Sequence, residues 1–418
     1  MSILIKNIDC LVTCEGSHKK KGKEMNDAKI IENGFIFIED DIISAVGKDN
    51  EYESYISEDT IVISGEGKTV TPGFVDPHTH LVYSGSRENE LPLKLNKVGY
   101  IEILNMGGGI LSTVENTRKA SIDELVEEAS NRLDIMLNHG TTTVESKSGY
   151  GLDLENEKKI LEVNKRLNET HAIDVVSTFM GAHAIPKEYK EDREGFIKLI
   201  MEEMIPGIAK ENLAEFIDCF CEEGVFTTEE CKKILEKGRE YGMKLKLHGD
   251  EVESVKGAEL AGELKCISAE HLIAASDEGI KALSENDVVA VLLPSTAFYL
   301  MLGKFARARD MIDNNVAVAL ATDCNPGTSP TESMQNVMTF ACFGMRMLPN
   351  EIINAMTINA ACAINREKSV GSIEKGKKAD IAIFNSKNLN YLVYHIGVNS
   401  VDKVIKNGKI VVDREKNR

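Results

Sequence analysis

The sequence predicts an α/β chain: a metal-dependent (β/α)8 barrel of the TIM type over 71–367, with a small β-sandwich domain built from 1–70 together with 368–418. Three observations predict it. Eight strand-like apolar runs alternate with helical patterns through the middle of the chain. Short β-rich runs separated by polar turns occupy both ends. Histidines and carboxylates fall at the C-terminal ends of the central runs. Alternating βα elements with buried parallel strands give either a closed barrel or an open doubly wound sheet, and the count favours the barrel.

The N-terminal runs are Ile3-Leu-Ile, Phe35-Ile-Phe-Ile, Ile42-Ile-Ser-Ala-Val and Ile61-Val-Ile. β-Branched and aromatic residues bounded by turn formers read as strands. The texture returns in Ala379-Asp-Ile-Ala-Ile-Phe and Val404-Ile-Lys-Asn-Gly-Lys-Ile-Val-Val, so both ends are expected in one antiparallel β unit that encloses a single inserted domain. The start, Met1-Ser-Ile-Leu-Ile-Lys, is too short and too polar for a secretion signal. No stretch approaches the roughly 18–20 apolar residues of a membrane span. Nine cysteines lie scattered without regular spacing, which fits a reduced, soluble, cytoplasmic protein. Cys219, Cys221 and Cys324 read as buried thiols.

The barrel runs are placed at 74–80, 141–147, 175–183, 215–221, 244–248, 266–271, 288–294 and 316–323, with helices at 122–138, 155–167, 228–241 and 305–314. The first follows a turn at Pro72-Gly73. His78 and His80, two apart, share one face of an extended run. In a barrel of this kind chemical groups gather at the C-terminal strand ends. Strand one ends in His78 and His80, strand three in His183, strand five in His248, strand six in Glu270-His271 and strand eight in Asp323. Five of the nine histidines thus occupy strand ends, a preference that scattered core histidines would lack. His78, His80, His248 and Asp323 offer three imidazoles and a carboxylate, a mix that suits one zinc or iron ion with an open position for water.

The formal net charge of −18 argues against sequence-independent binding of nucleic acid or an anionic membrane, both of which need basic patches. The basic run His18-Lys-Lys-Lys21 reads as a solvated loop. An anionic small molecule would need a local cation to overcome the global field.

Pro72-Gly-Phe-Val-Asp-Pro-His-Thr-His80, the eight runs, the flanking β unit and the late Thr322-Asp-Cys-Asn325 resemble the amidohydrolase superfamily over nearly the whole chain. Six further stretches, in order, resemble the imidazolonepropionase family within it. They are His80-Leu-Val-Tyr-Ser-Gly-Ser-Arg-Glu-Asn-Glu90, Gly107-Gly-Gly-Ile-Leu-Ser-Thr113, Glu145-Ser-Lys-Ser-Gly-Tyr-Gly-Leu152, Gly181-Ala-His183, Phe220-Cys-Glu-Glu-Gly224 and Ala321-Thr-Asp-Cys-Asn-Pro-Gly-Thr-Ser-Pro330. Lys246-Leu-His-Gly-Asp-Glu251 departs slightly, with Gly249 where the family often has alanine; both are small. The resemblance implies hydrolysis of the cyclic amide C–N bond of 4-imidazolone-5-propanoate to N-formimino-L-glutamate, the third step of histidine degradation. It also implies one divalent or trivalent metal ion per subunit, zinc or iron, and a homodimer. Two-metal relatives of this architecture bridge their ions with a modified lysine at the end of strand four. Here that strand ends Cys219-Phe-Cys-Glu-Glu223, and Lys147 ends strand two, so a single ion is expected.

Roles follow from the resemblance and the strand-end positions together. Glu251, three residues beyond His248, is expected to move protons between water, ring nitrogen and leaving group. Asp323 is either a ligand only or also the acceptor of the water's proton. By resemblance His183 binds substrate and stabilises the developing oxyanion. His271 either orients the water or holds Glu251 or Asp323 through a hydrogen bond. Asp250 reads as structural. Arg87, whose fork matches a carboxylate at two points, is the expected partner of the propionate. Tyr150, Asn325, Gly327 and Thr328 add side-chain and backbone groups for the substrate. The Gly107-Gly-Gly run is either a lid or a flexible connection. Two rival readings stand beside this one. A deaminase of the same superfamily is opposed by the stretches around Arg87, Tyr150 and Asn325, and a non-catalytic scaffold would lack several strand-end ligands.

Overall fold

In the computed structural model, which describes residues 2–98, 102 and 106–414, the eight central runs form one parallel sheet in strict sequence order. Its strands are Phe74–Asp76, Thr141–Lys147, Asp174–Ala182, Phe216–Cys221, Lys244–Gly249, Ser268–His271, Val289–Leu292 and Ala317–Leu320. They are called strand one to strand eight below. Most lie within two or three residues of expectation. Strand one is the main difference, stopping at Asp76 because Pro77 has no N–H to continue a ladder. Strand eight stops at Leu320, ahead of Asp323, whose left-handed backbone (φ 56°) leaves the extended region.

The sheet closes where strand eight meets strand one. Thr79 and Cys324 form an isolated parallel bridge. His80 N–H donates to Cys324 O at 2.9 Å, and Asp323 N–H to His78 O at 3.0 Å. Deeper in, the Asp76 carboxylate accepts from Thr322 N–H at 3.1 Å and from the Thr322 hydroxyl at 2.6 Å. The edges of the sheet are thus joined by a short seam and one carboxylate.

Amphipathic helices cover the barrel. Ile122–Asn138 begins in a capping box in which Ser121 and Glu124 satisfy each other's backbone N–H, and Thr227 with Glu230 starts Thr228–Glu240 in the same way. Asp153 caps Leu154–Thr170. The helix expected at 305–314 is shorter, Ala308–Asp313.

The chain ends build two further sheets. One holds Ile42–Lys48, Gly34–Glu39, Ser2–Ile8 and Thr60–Ser64; the other runs Lys409–Asp413, Val401–Lys406, Ile381–Phe384, Thr69–Pro72, Cys10–Val12, Ile30–Ile31. Ile3, Ile5, Ile36, Ile38, Val70, Ile381, Ile383 and Ile405 pack between them, making the sandwich from both ends of the chain. The expected antiparallel unit is in fact mixed. Ser2–Ile8 pairs parallel with Thr60–Ser64, and Cys10–Val12 parallel with Thr69–Pro72. Such partners cannot be joined by a tight hairpin, and here four intervening strands separate the members of each pair. One residue, Gly73, separates the sandwich strand Thr69–Pro72 from barrel strand one. A Cβ there would lie 2.3 Å from Thr142 Oγ1, so the crossing requires glycine. Cys219, Cys221 and Cys324 are buried free thiols, and no helix among the described residues is long and apolar enough to cross a membrane.

Candidate active site

Below the C-terminal mouth one part of the barrel interior carries charge, beside aliphatic side chains such as Val75, Val289 and Val291. Glu145 and Lys147 of strand two, Asp218 of strand four, Lys246 of strand five and Glu270 of strand six are all fully buried. They occur at alternate positions, as inward-facing strand residues must. Lys147 Nζ donates to Glu145 at 3.0 Å and to Asp218 at 2.8 Å. Lys246 Nζ lies 3.1 Å from Glu145 and 3.6 Å from Glu270. Charges this deep persist only when paired and hydrogen-bonded. The layer has a directed output. His248 Nδ1 donates to Asp218 Oδ2 at 2.9 Å, and His78 Nδ1 to Glu270 Oε2 at 2.9 Å. Each carboxylate fixes its ring's tautomer with the Nε2 lone pair turned up toward the mouth.

Those lone pairs converge. His78 Nε2 is 3.4 Å and His80 Nε2 3.7 Å from Asp323 Oδ1, and His80 Nε2 is 3.4 Å from His248 Nε2. Asp323 Oδ2 is held aside by the Thr296 hydroxyl at 2.6 Å. His78, His80 and Asp323 bring their ligand atoms within 4.8 Å of one another, and His78, His248 and His271 do the same. Burial, with Lys147 and the neighbouring rings adding to it, holds His78 well below the usual histidine range, and burial and the rings do so for His80. Both are therefore neutral, the ligand form. Burial pushes Asp323 up to about 6, so it is still ionised at neutral pH. Buried lone pairs facing one another repel, and His78 Nε2 has no hydrogen-bond partner. One cation between these atoms satisfies the whole set, so the donors fit a metal ion. Asp323 and His271 (φ 68°) both hold left-handed backbone, a strained state that clusters at functional sites.

A cavity of about 550 Å³ opens above these atoms. Tyr150 lies over His80 and His183, with ring centroids at 5.8 and 5.4 Å. His183 Nδ1 donates to Gly149 O at 3.0 Å, and burial lowers its pKa to about 3. Its Nε2 is consequently an acceptor, and the oxyanion-stabilising role expected for His183 does not suit this tautomer. Glu251 Oε2 lies 3.7 Å from His271 Nε2. Burial, with Asp323 and Glu222 adding to it, pushes Glu251 up to about 8. Asp250 accepts from Val255, Gly257 and Ala258 N–H, which is the structural role expected of it. Asn325 Oδ1 accepts from Gly327 N–H at 2.8 Å and Thr328 N–H at 2.7 Å, shaping the loop after strand eight. Arg87 turns Nε and Nη2 onto Glu90, at 2.8 and 2.9 Å, so one edge of its fork is already taken. Gly109, at the end of the glycine run, donates its N–H to the same Glu90 at 2.7 Å, which ties that end of the run to the site.

The model of the amidohydrolase family matches residues 69–411. The chain is 56% identical over 416 residues to the imidazolonepropionase of Alkaliphilus oremlandii, covering 99% of both. It is 53% identical over 398 residues to that of Treponema denticola, covering 95% of this chain and 96% of the other. The chain belongs to the imidazolonepropionase family. Solved structures share the fold at low identity. An atrazine chlorohydrolase from Arthrobacter aurescens, complexed with zinc, has a TM-score of 0.71 at 17% identity over 99% of this chain and 96% of that one. An adenosine deaminase from Xanthomonas campestris with bound zinc has 0.72 at 17% identity, over 98% and 93%.

In this imidazolonepropionase-family barrel the strand-end residues picked from sequence, His78, His80, His183, His248, His271 and Asp323, do meet at one mouth, together with Arg87, Tyr150, Glu251, Asn325 and Thr328. Gly327 stands just behind Arg87. Sequence reasoning passed over Glu145, Asp218, Lys246 and Glu270 as partners, and also Glu222. The Glu222 carboxylate accepts the backbone N–H groups of Glu251, Val252 and Glu253 and so sets where Glu251 points. A usable signal existed: Glu145 and Lys147 two apart in one barrel strand, and Asp218, Lys246 and Glu270 each inside another.

Proposed function

We propose that this chain hydrolyses the cyclic amide C–N bond of 4-imidazolone-5-propanoate to N-formimino-L-glutamate, with His78, His80, His248 and Asp323 holding one zinc or iron ion. The observation that carries the reading is the convergence of these ligand atoms beneath a cavity in which Arg87 and Lys94, the only arginine and lysine among the described lining residues, sit together at one side. The acidic balance of −18 favours a small molecule over a polyanion or anionic membrane, and the family resemblance favours a cytoplasmic homodimer.

A metal held there would lower the pKa of its water from about 15.7 toward about 7 and polarise the ring carbonyl. The chain's residues supply the proton traffic. Asp323 takes a proton from the water as its oxygen bonds to the ring carbonyl carbon. Glu251, protonated at neutral pH, gives a proton to the ring nitrogen as the C–N bond breaks. A proton passing from Asp323 to Glu251 resets the pair. His271 holds Glu251 over the reacting bond, and His183 Nε2 accepts a ring N–H. Tyr150, Asn325 and Thr328 flank the ring and tail, and Arg87 faces the propionate.

The decisive assay uses freshly made 4-imidazolone-5-propanoate with N-formimino-L-glutamate quantified. Turnover supports the reading. Ammonia release from a purine or pyrimidine, with the imidazolone untouched, sinks it and points to the deaminase.

Two variants probe supporting parts. A Cβ at Gly327 would lie 2.0 Å from Arg87 Nη1, so Gly327→Ala should displace the guanidinium. We expect KM to rise about tenfold or more, the worth of one charge-assisted hydrogen bond, with kcat little changed; an unaltered KM would separate Arg87 from the propionate. Asp218→Asn should weaken metal binding by about 10- to 100-fold, read by competition with a chromophoric chelator. Native affinity in that variant would mean that the bond from His248 to Asp218 does not support the ion.

A further inference from the structure

The wall of the cavity that carries Arg87 contains more than the expected partner of the propionate. Arg87 and Glu90 form a buried two-point pair with side chains only 10% and 7% exposed, so together they bring no net charge. Glu222, Glu223, Glu253 and Asp323 also line the cavity. An anionic tail entering this field needs a cation beyond Arg87. Lys94, on the short helix Leu91–Leu95, is the one further lysine or arginine among the described lining residues.

Its geometry is built. Lys94 Nζ donates to Gly327 O at 2.8 Å, lies 3.5 Å from Glu90 Oε2, and sits 5.2 Å from the centroid of the Tyr299 ring. An ammonium has three N–H groups. One is spent on Gly327 O and one is directed at Glu90; the third has no hydrogen-bond partner among the described residues, in a side chain that is 14% exposed and lines the cavity. The contact to Gly327 also ties the loop after strand one to the loop after strand eight, beside Thr328. Burial, with the Arg87 charge adding to it, holds the Lys94 ammonium below its ordinary range, which a bound carboxylate would relieve.

We propose that Lys94 is a specificity-determining substrate contact: with Arg87 and Glu90 it forms a seat of net charge +1 that selects a tail bearing a single carboxylate. Glu90 is a positioning residue that holds both cations at the spacing of one carboxylate. This assignment rests on the substrate class given under Proposed function.

The test is steady-state kinetics of metal-replete protein on 4-imidazolone-5-propanoate and on the analogue whose tail ends in a neutral primary amide. Wild type should prefer the acid. Lys94→Met should raise KM for the acid by about tenfold or more while kcat moves by less than about threefold, and should erase most of the preference over the amide. Lys94→Arg should restore the preference. Lys94→Gln retains a donor for Gly327 O but removes the charge. It should behave like Lys94→Met, and it is the variant to read if the methionine substitution disturbs folding. A folded Lys94→Gln protein that keeps the wild-type KM and preference overturns the role of Lys94 while leaving the reaction intact. Wild-type protein that hydrolyses neither compound overturns the substrate class, and the seat with it.

Discussion

Chelator-treated protein is expected to lose its hydrolase activity, with kcat/KM falling by about three orders of magnitude or more, and to recover it on addition of zinc or iron. The expectation follows from the ligand atoms themselves. Glu270 and Asp218 lock two imidazoles with their lone pairs turned to the same point, and Thr296 turns one Asp323 oxygen there as well. A site so arranged has no proton of its own to place between the donors, and Asp323 alone is too weak a base to activate unbound water. Thermal stability should fall in parallel, because an ion that binds only the folded chain contributes about 4 kcal/mol when present at a thousandfold its Kd. Full turnover by protein shown by elemental analysis to be metal-free would remove the ion from the reaction.

Glu251→Gln is expected to lower kcat by about 10²- to 10⁴-fold with a much smaller change in KM, because an amide of the same shape cannot relay a proton. The variant also has a signature in stability. In the metal-free folded chain Glu251 is pushed up to about 8, whereas an unfolded glutamate titrates near about 4.3. Between those values the folded state binds a proton that the unfolded state does not. Stability is therefore greatest below the lower value and declines as pH rises through the higher one. Other raised carboxyls, Asp76 among them, contribute the same slope in both proteins. Melting of metal-free wild type and Glu251→Gln at pH 5 and pH 8 isolates this one group: the wild type should lose more on going to pH 8. Parallel curves would place Glu251 at an ordinary pKa and unmake its assignment as the acid.

Much of the barrel was legible because its signals are local. A short run buried on both faces marks most of the strands, and position at the strand end marks His78, His80, His183, His248, His271 and Asp323. What escaped depends on contacts across the chain. Lys147 shows in the sequence only as the last residue of strand two; that its ammonium reaches Asp218 of strand four is a property of barrel interiors, where side chains from non-adjacent strands share a layer. The hydrogen bond from His183 to Gly149 O is a backbone contact that no side-chain pattern announces, yet it decides which ring nitrogen can donate. Glu90 lay inside a quoted motif without a role, since only the folded loop shows that its two oxygens meet Arg87 and Gly109 N–H. The parallel pairings in the sandwich were hidden because strand content is local and strand direction is not.

The seam between strands one and eight has a bearing on how the protein fails. A barrel has no free sheet edge only while it stays shut. Here the closing contacts are one bridge, two backbone hydrogen bonds and the Asp76–Thr322 clasp, and His78, His80 and Asp323 stand on either side of them. Loosening that line would present two unpaired edges, Phe74–Asp76 and Ala317–Leu320, both made of buried residues suited to pairing with another chain. The residues that serve the chemistry thus also guard against self-association, and amide exchange at His80 and Asp323 would report the first opening.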